Sequence, residues 1–190
     1  GEKEIKFLAK KLKNKKIDLI YASDITRVRQ TAEIVAKELG LKVNQDRRLR
    51  DMNLGTYHGR HKAELYRAYP EIEERFYKGP PEGESWLDCR KRVLNFLKEI
   101  DKKHRNKTIL IVSHGDPLWL LEGALKGLSN QELIKQKFQR KTIKTGEMRK
   151  LKFATLPFNK KGEIDFHLPY IDEIRFFCSG CKEVLMAITP

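Results

Sequence analysis

Apolar positions recur at helical spacing in some segments of the chain and form short unbroken runs in others. Residues 2–13 carry apolar side chains at the i, i+3, i+4 spacing of one helix face, which predicts an amphipathic helix. Residues 17–22 form a short apolar run that predicts a buried strand. A second helical stripe begins near residue 24 and stops at Gly40, and a short strand is predicted near Val43.

The same two patterns continue through the next hundred residues. The run over 108–112 is rich in β-branched residues, as expected for a strand of a parallel sheet that is covered on both faces. Further elements are predicted over residues 61–78 (two short helices separated at Pro70), 85–103 (helix), from Pro117 (helix), 130–137 (helix) and 146–154 (edge strand). This alternation predicts an α/β fold, a layered and mostly parallel sheet with helices on both faces.

From Leu156 onward proline, asparagine and glycine become frequent and the charge balance changes. The protein has 190 residues and a net charge of +14, but the five basic and five acidic residues of 151–190 cancel. The whole charge excess therefore lies in residues 1–150. We predict one domain over residues 1–153 and an irregular extension over 154–190 that belongs to a following region.

A strongly basic domain favours anionic partners such as phosphoesters or an RNA backbone. Solvated helix faces are the simpler explanation of the same lysines, and both interpretations stay open. The sequence has no apolar run of the ~20 residues that a bilayer crossing needs, and its first residues lack the apolar segment of a signal peptide. With three cysteines, an odd number, we expect a cytoplasmic protein with no membrane partner.

The first candidate site lies where the predicted strand over 17–22 ends. Ser23 and Asp24 can cap the following helix, and Arg27 falls in its first turn. Free backbone N–H groups, the helix dipole and a guanidinium fork together suit a phosphate group. The alternative for Arg27 is a surface ion pair with a carboxylate.

The second candidate is His114, at the end of the predicted strand over 108–112. Gly115 follows and permits close approach of a ligand to the backbone. The imidazole can be a general base, a ligand for oxyanions or a hydrogen-bonded structural group. Because ligands of open α/β sheets bind at the carboxyl ends of strands, we expect Arg27 and His114 to meet over one anion pocket.

Four segments in order along the chain resemble the histidine phosphatase superfamily, which includes the phosphoglycerate mutases. The segments are residues 23–32, 49–59, 81–85 and 112–115. The resemblance implies a phosphoglycerate mutase-like fold that needs no cofactor, with a phosphomonoester or phosphate as its ligand.

The resemblance also assigns roles to particular residues. Arg27 is expected to bind the transferred phosphoryl group, with Ser23 and Gly115 in the same pocket, and His114 to stabilise its charge beside the nucleophile. Asp51 occupies the place of the proton donor, where the family often has a glutamate. Glu84 and Ser85 are explained more simply as helix-capping residues.

The chain departs from the family in one respect that affects catalysis. Family members begin with a strand ending in Arg-His-Gly, whose histidine accepts the phosphoryl group, and this sequence contains no Arg-His-Gly. Its His-Gly pairs, at 58–59 and 114–115, belong to the later segments. We expect Gly1 to follow the missing first strand, and the chain to bind phosphate with little or no turnover, because the covalent route requires the nucleophile.

Residues 146–181 resemble a segment of isoleucyl-tRNA synthetases. This suggests a fragment of an isoleucine–tRNA ligase that carries an inserted histidine-phosphatase-like domain, with tRNA and ATP as partners of the full-length parent. The spacing of Cys178 and Cys181 is that of half a zinc site, which needs four ligands, and a redox couple is the alternative. The alternatives are a stand-alone phosphomonoesterase or mutase and a non-catalytic phosphate- or RNA-binding module.

Overall fold

The computed structural model describes residues 2–104, 106–139, 141–142, 147–151 and 181–188. Within these ranges one sheet is formed, with the strand order β2-β1-β3-β5-β4. The strands are β1 (Leu19–Ala22), β2 (Val43–Gln45), β3 (Lys107–Ser113), β4 (Met148–Leu151) and β5 (Cys181–Ile188). Neighbouring strands are parallel except for β4, which runs antiparallel to β5. The predicted α/β fold with a mostly parallel sheet is confirmed.

The described helices are α1 (Glu2–Lys13), α2 (Thr26–Leu39), α3 (Lys62–Ala68), α4 (Ile72–Tyr77), α5 (Trp86–Lys103), α6 (Gly115–Leu125) and α7 (Asn130–Phe138). They agree with the predicted helices to within a few residues. The predicted break at Pro70 separates α3 from α4, and Gly40 ends α2 in a left-handed conformation with φ of 67°. None of the described helices combines the length and the apolar character that a membrane crossing needs.

Alternate residues of β1 and β3 pack into two separate cores, one on each face of the sheet. Ile20 and Leu110 contact the core that α1 and α2 cover, which consists mainly of aliphatic side chains. Tyr21 and Ile111 point to the other face, where α5 and α6 contribute Trp86 and Trp119 among others. Because both faces are covered, the central strands are apolar on both sides and their carboxyl ends meet at one edge of the sheet.

The last strand differs from the predicted irregular extension. Residues 181–188 form β5, which lies between β3 and β4 and pairs Ser113 with Ile188 at its carboxyl end. The apolar run over 184–188 is typical of a buried strand, but the zinc-like cysteine spacing and the synthetase resemblance led to a different interpretation. The domain division at residues 153–154 stays a prediction, because residues 152–180 lie outside the described ranges.

Candidate functional site

Arg27 and His114 are in direct contact at the carboxyl edge of the sheet. Arg27 stands in the first turn of α2, just after β1, and His114 is the residue between β3 and α6. The Nη2 atom of Arg27 lies 2.8 Å from Nδ1 of His114. The two side chains predicted to share a pocket therefore do lie together, and we call Ser23, Arg27, Asp51 and His114 the rim cluster.

The contacts of His114 define which ring nitrogen carries the proton. A guanidinium can only donate, so Nδ1 of His114 accepts from Arg27, and Nε2–H donates to Oγ of Ser23 at 3.1 Å. His114 is 3% exposed and Ser23 is fully buried. Burial, assisted by the nearby charges of Arg27 and Arg92 and opposed by Asp51, lowers the pKa of His114 to about 4. The imidazole is therefore neutral at neutral pH.

Asp51 lies on the same guanidinium group. Nη2 of Arg27 donates to Oδ2 of Asp51 at 3.1 Å, and that oxygen is 3.6 Å from Nδ1 of His114. The other carboxylate oxygen accepts the backbone N–H of Met52 at 3.0 Å. The Arg27 side chain is 56% exposed and that of Asp51 is 40% exposed, so both can be reached by a ligand from solvent.

The predicted capping of α2 by Ser23 or Asp24 is wrong. The residue preceding the helix is Ile25, which makes no side-chain cap, and its N–H donates to Oγ of Ser23 at 3.3 Å. Asp24 instead accepts from Nε and Nη2 of Arg50 at 2.7 and 2.6 Å, and this ion pair lowers the pKa of Asp24. Both side chains are used to hold the edge of the site together.

Gly115 begins α6 beside the rim cluster. A Cβ atom at Gly115 would meet no other atom within 4 Å, so the space next to this backbone is open. Open space at the first turn of a helix is compatible with an anion contacting its N–H groups. The phosphate-binding roles of Gly115 and Ser23 stay predictions, as do the catalytic roles of His114 and Asp51.

Arg92 is a residue of the site that the sequence reasoning missed. It extends from α5, donates twice to the Glu84 carboxylate at 2.9 and 2.7 Å, and donates to the carbonyl of Asp51 at 3.1 Å. Glu84 also accepts the backbone N–H of Asn53 at 2.9 Å. The sequence offered one signal for this role. Arg92 lies three positions after Cys89, which belongs to the apolar stripe of the helix, so its side chain is placed beside the buried face.

Glu84 and Ser85 therefore have different functions. Ser85 caps α5 in a reciprocal arrangement with Asp88, as predicted. Glu84 does not cap the helix, because its carboxylate is directed to Arg92 and to the backbone of the loop that carries Asp51. The pair of Glu84 and Arg92 thus positions Asp51 from behind.

The loop after Asp51 packs closely against the turn over 80–83. Gly55 has φ of 51°, and a Cβ atom there would overlap the carbonyl oxygen of Pro81 and lie 2.5 Å from the nitrogen of Gly83. The same carbonyl accepts the N–H of Thr56 at 3.1 Å. Only glycine fits both this conformation and this contact.

A cleft that is open to solvent adjoins the rim cluster at Asp51. It lies among α3, α4 and the start of α5. Its apolar and aromatic wall consists of Met52, Leu54, Leu65, Tyr66, Tyr69, Pro80 and Trp86. An apolar and aromatic wall beside charged side chains is typical of a site for a small organic ligand.

The described residues contain no group of three or more His, Cys, Asp or Glu side chains that could hold a metal ion. Cys178 lies outside the described ranges, and Cys181 is the first residue of β5, whose side chains are not described. The zinc site at these two cysteines stays a prediction.

Comparison with known proteins shows what this arrangement resembles. Phosphoserine phosphatase 1 of Hydrogenobacter thermophilus is 33% identical over 133 residues, which cover 67% of this chain and 63% of that protein. A 2,3-bisphosphoglycerate-dependent phosphoglycerate mutase of Bartonella tribocorum is 30% identical over 148 residues, 72% of each. The chain thus spans a little under two thirds of the length of the first relative.

A solved structure supports the same relationship. The mycobacterial glucosyl-3-phosphoglycerate phosphatase in complex with inorganic phosphate matches with a TM-score of 0.63 and 25% identity, over 70% of each chain. A family model described as the histidine phosphatase superfamily (branch 1) matches residues 1–159. With most of its length covered by that model, the chain belongs to the histidine phosphatase superfamily.

Proposed function

We propose that this domain binds the phosphoryl group of a phosphomonoester at the rim cluster and belongs to a phosphomonoesterase or mutase. The observation that carries the proposal is the contact between Arg27 and buried His114 at the carboxyl edge of the sheet. Relatives named as a phosphoserine phosphatase and a phosphoglycerate mutase support it.

The chemistry of the rim cluster suits phosphoryl transfer. That reaction depends mainly on positioned charge around the transferred group, and Arg27 provides a guanidinium fork for its oxygens. A bound dianion would favour protonation of His114, which would then donate from both ring nitrogens. Asp51, on the leaving-group side beside the cleft, can supply a proton. Histidine phosphatase superfamily domains need no metal cofactor.

The nucleophile limits what the 190-residue chain does by itself. Its sequence contains no Arg-His-Gly, and the ring of His114 contacts both Arg27 and Ser23. We therefore expect phosphate binding with little or no hydrolysis, because the two-step covalent route needs a second histidine at the phosphorus atom.

The synthetase hypothesis receives no support from the relatives reported above, which are phosphatases and a mutase. The segment that carries it, residues 146–181, lies largely outside the described ranges. The relatives favour the alternative, a histidine phosphatase without a ligase parent. A role for tRNA, ATP or an RNA backbone as partner accordingly forms no part of the proposal.

Titration calorimetry with inorganic phosphate tests the proposal. We expect saturable binding by the chain and a loss of at least about tenfold in affinity in Arg27→Ala, since charge-assisted hydrogen bonds contribute roughly 1.5–3 kcal/mol. Arg29→Ala is the matched control, because it removes the same charge from the same helix. Arg29 pairs with Glu33 at 3.7 Å. No saturable binding, or equal losses in the two variants, would refute the proposal.

Turnover of p-nitrophenyl phosphate by the same proteins tests the statement about the nucleophile. We expect no hydrolysis above background. Hydrolysis that Arg27→Ala abolishes would show that another group of the chain acts as the nucleophile.

A further inference from the structure

The cleft beside Asp51 has three acidic side chains, and each is neutralised by a cation that is not part of the cleft wall. The pairs are Asp51 with Arg27, Glu84 with Arg92, and Asp116 with Lys137. These ion pairs take up most of the negative charge of the cleft wall, and Asp116 also interacts electrostatically with Lys62.

Three basic side chains line the same cleft: Lys62, Arg75 and Lys78. Among the described residues no carboxylate oxygen lies within 4.0 Å of the charged nitrogens of Lys62 or Arg75, and Lys78 has a distant partner in Glu74 at 3.7 Å. The cleft thus has a surplus of positive charge next to an apolar wall. Such a surplus favours an anionic ligand over a neutral one.

Arg75 is the best placed of these cations. Its guanidinium carbon lies 4.6 Å from the ring centre of Tyr66 and 5.7 Å from that of Trp86, so the planar group is held between two aromatic rings. Within the described part of the chain its single hydrogen bond runs from Nη1 to the carbonyl of Tyr69 at 2.8 Å, and Nε is buried without an acceptor. With Nε buried and one N–H of Nη1 used, the second N–H of Nη1 and the two of Nη2 remain for a ligand.

We propose that the leaving group of the phosphomonoester has an apolar body and a carboxylate, and that Arg75, assisted by Lys62, determines this specificity. This inference rests on the proposed function, because the phosphoryl group must occupy the rim cluster at one end of the cleft. The apolar wall packs against the body of the ligand, and the planar guanidinium donates two parallel hydrogen bonds to the carboxylate.

Binding of three ligands to the chain provides the test, because it does not require turnover. The ligands are 4-carboxyphenyl phosphate, phenyl phosphate and inorganic phosphate, measured by titration calorimetry. We expect 4-carboxyphenyl phosphate to bind about tenfold more tightly than phenyl phosphate, the gain typical of a charge-assisted hydrogen bond. Phenyl phosphate should in turn bind more tightly than inorganic phosphate, because its ring is buried in the apolar wall.

Variants identify the residue responsible. In Arg75→Gln the ratio between the two aryl phosphates should fall to about twofold or less, with the affinity for inorganic phosphate unchanged. Arg75→Lys keeps the charge without the planar fork and should give an intermediate ratio. Arg67→Gln is the matched control, since it removes the same charge at a position that does not line the cleft. Arg67 is exposed on α3.

The ratio is measured on one protein with two ligands, so a general loosening of α3 and α4 would lower both affinities and leave it unchanged. If Arg75→Gln does not fold, Lys62→Gln, at an exposed position, should still lower the ratio. Equal affinities of the two aryl phosphates for the unmodified chain, or a ratio that neither variant lowers, would overturn the inference.

Failure of the proposed function has a different signature. Phenyl phosphate and inorganic phosphate would then not bind, or would bind equally well to Arg27→Ala. If 4-carboxyphenyl phosphate still bound in a way that depends on Arg75, the carboxylate site would be supported and the phosphate site would not.

Discussion

The rim cluster has two halves that are held in position by different means. Ser23 and His114 follow the ends of β1 and β3, and Arg27 lies in the first turn of α2, just after β1. The relative position of the two strands follows from a parallel ladder that pairs Ala22 with Val112. Asp51 belongs to a loop that is held by the side chains of Glu84 and Arg92 and by its close contact with the turn over 80–83. The strand half is fixed by many backbone hydrogen bonds, whereas the loop half depends on a few particular contacts.

Gly55→Ala should break the loop half with the largest effect. The substitution destabilises the fold in two ways. Alanine is strained in the left-handed conformation, and its Cβ atom would overlap backbone atoms that cannot easily move. We expect the free energy of unfolding to fall by about 3 kcal/mol or more in urea denaturation. Gly40→Ala is the control, because Gly40 has φ of 67° but open space around it, and should cost only about 1–2 kcal/mol. Equal losses would show that the loop is not tightly packed.

Arg92→Met should have the next largest effect. It leaves the mostly buried Glu84 carboxylate without its cation and the Asp51 carbonyl without a donor. We expect a loss of about 2 kcal/mol in the free energy of unfolding, measured in urea. The double variant Glu84→Gln/Arg92→Met should recover part of this loss, since no charge is then left unpaired. A double variant as unstable as the sum of the single ones would contradict the assignment.

Acidification should destabilise the strand half through His114. Its pKa of about 4 in the folded protein lies below the ordinary value near 6.5, so the unfolded chain takes up the proton first. The contribution of His114 to stability is therefore nearly constant above about pH 6.5 and falls as the pH decreases towards 4, by about 2 kcal/mol at pH 5. Urea denaturation between pH 7 and 5 checks this against His114→Gln, which should show a shallower dependence. Parallel curves would contradict a buried neutral imidazole.

Asp51→Asn should have the smallest effect and change binding rather than stability. In the absence of ligand the Asp51 carboxylate accepts from the guanidinium group that would bind phosphate. Exposed ion pairs contribute ~0.2–1 kcal/mol, so we expect the affinity for inorganic phosphate to rise by a factor of about 1.4 to 5 in calorimetry. Weaker binding would show that Asp51 helps to hold the anion.

The two halves also differ in how far the sequence predicts them. An apolar β-branched run with a histidine at its end indicates both the strand and the edge where the side chain lies, so the contact of Arg27 with His114 followed from the order of elements. The pairing of Glu84 with Arg92 depends on the path of a loop, which no local pattern specifies. Capping by Ser23 or Asp24 was expected from local preference, but His114 and Arg50 compete for the same oxygens.

The position of β5 has a consequence for how this sheet is completed during synthesis. In the described sheet β4 reaches the other strands through β5, and β5 covers the edge of β3 that β1 leaves free. A ribosome exposes residues 107–113 well before it releases 181–188, so the nascent chain carries an open strand edge for that interval. Because the closing contact is also distant in sequence, we expect it to form late, which lengthens the interval in which this edge stays open.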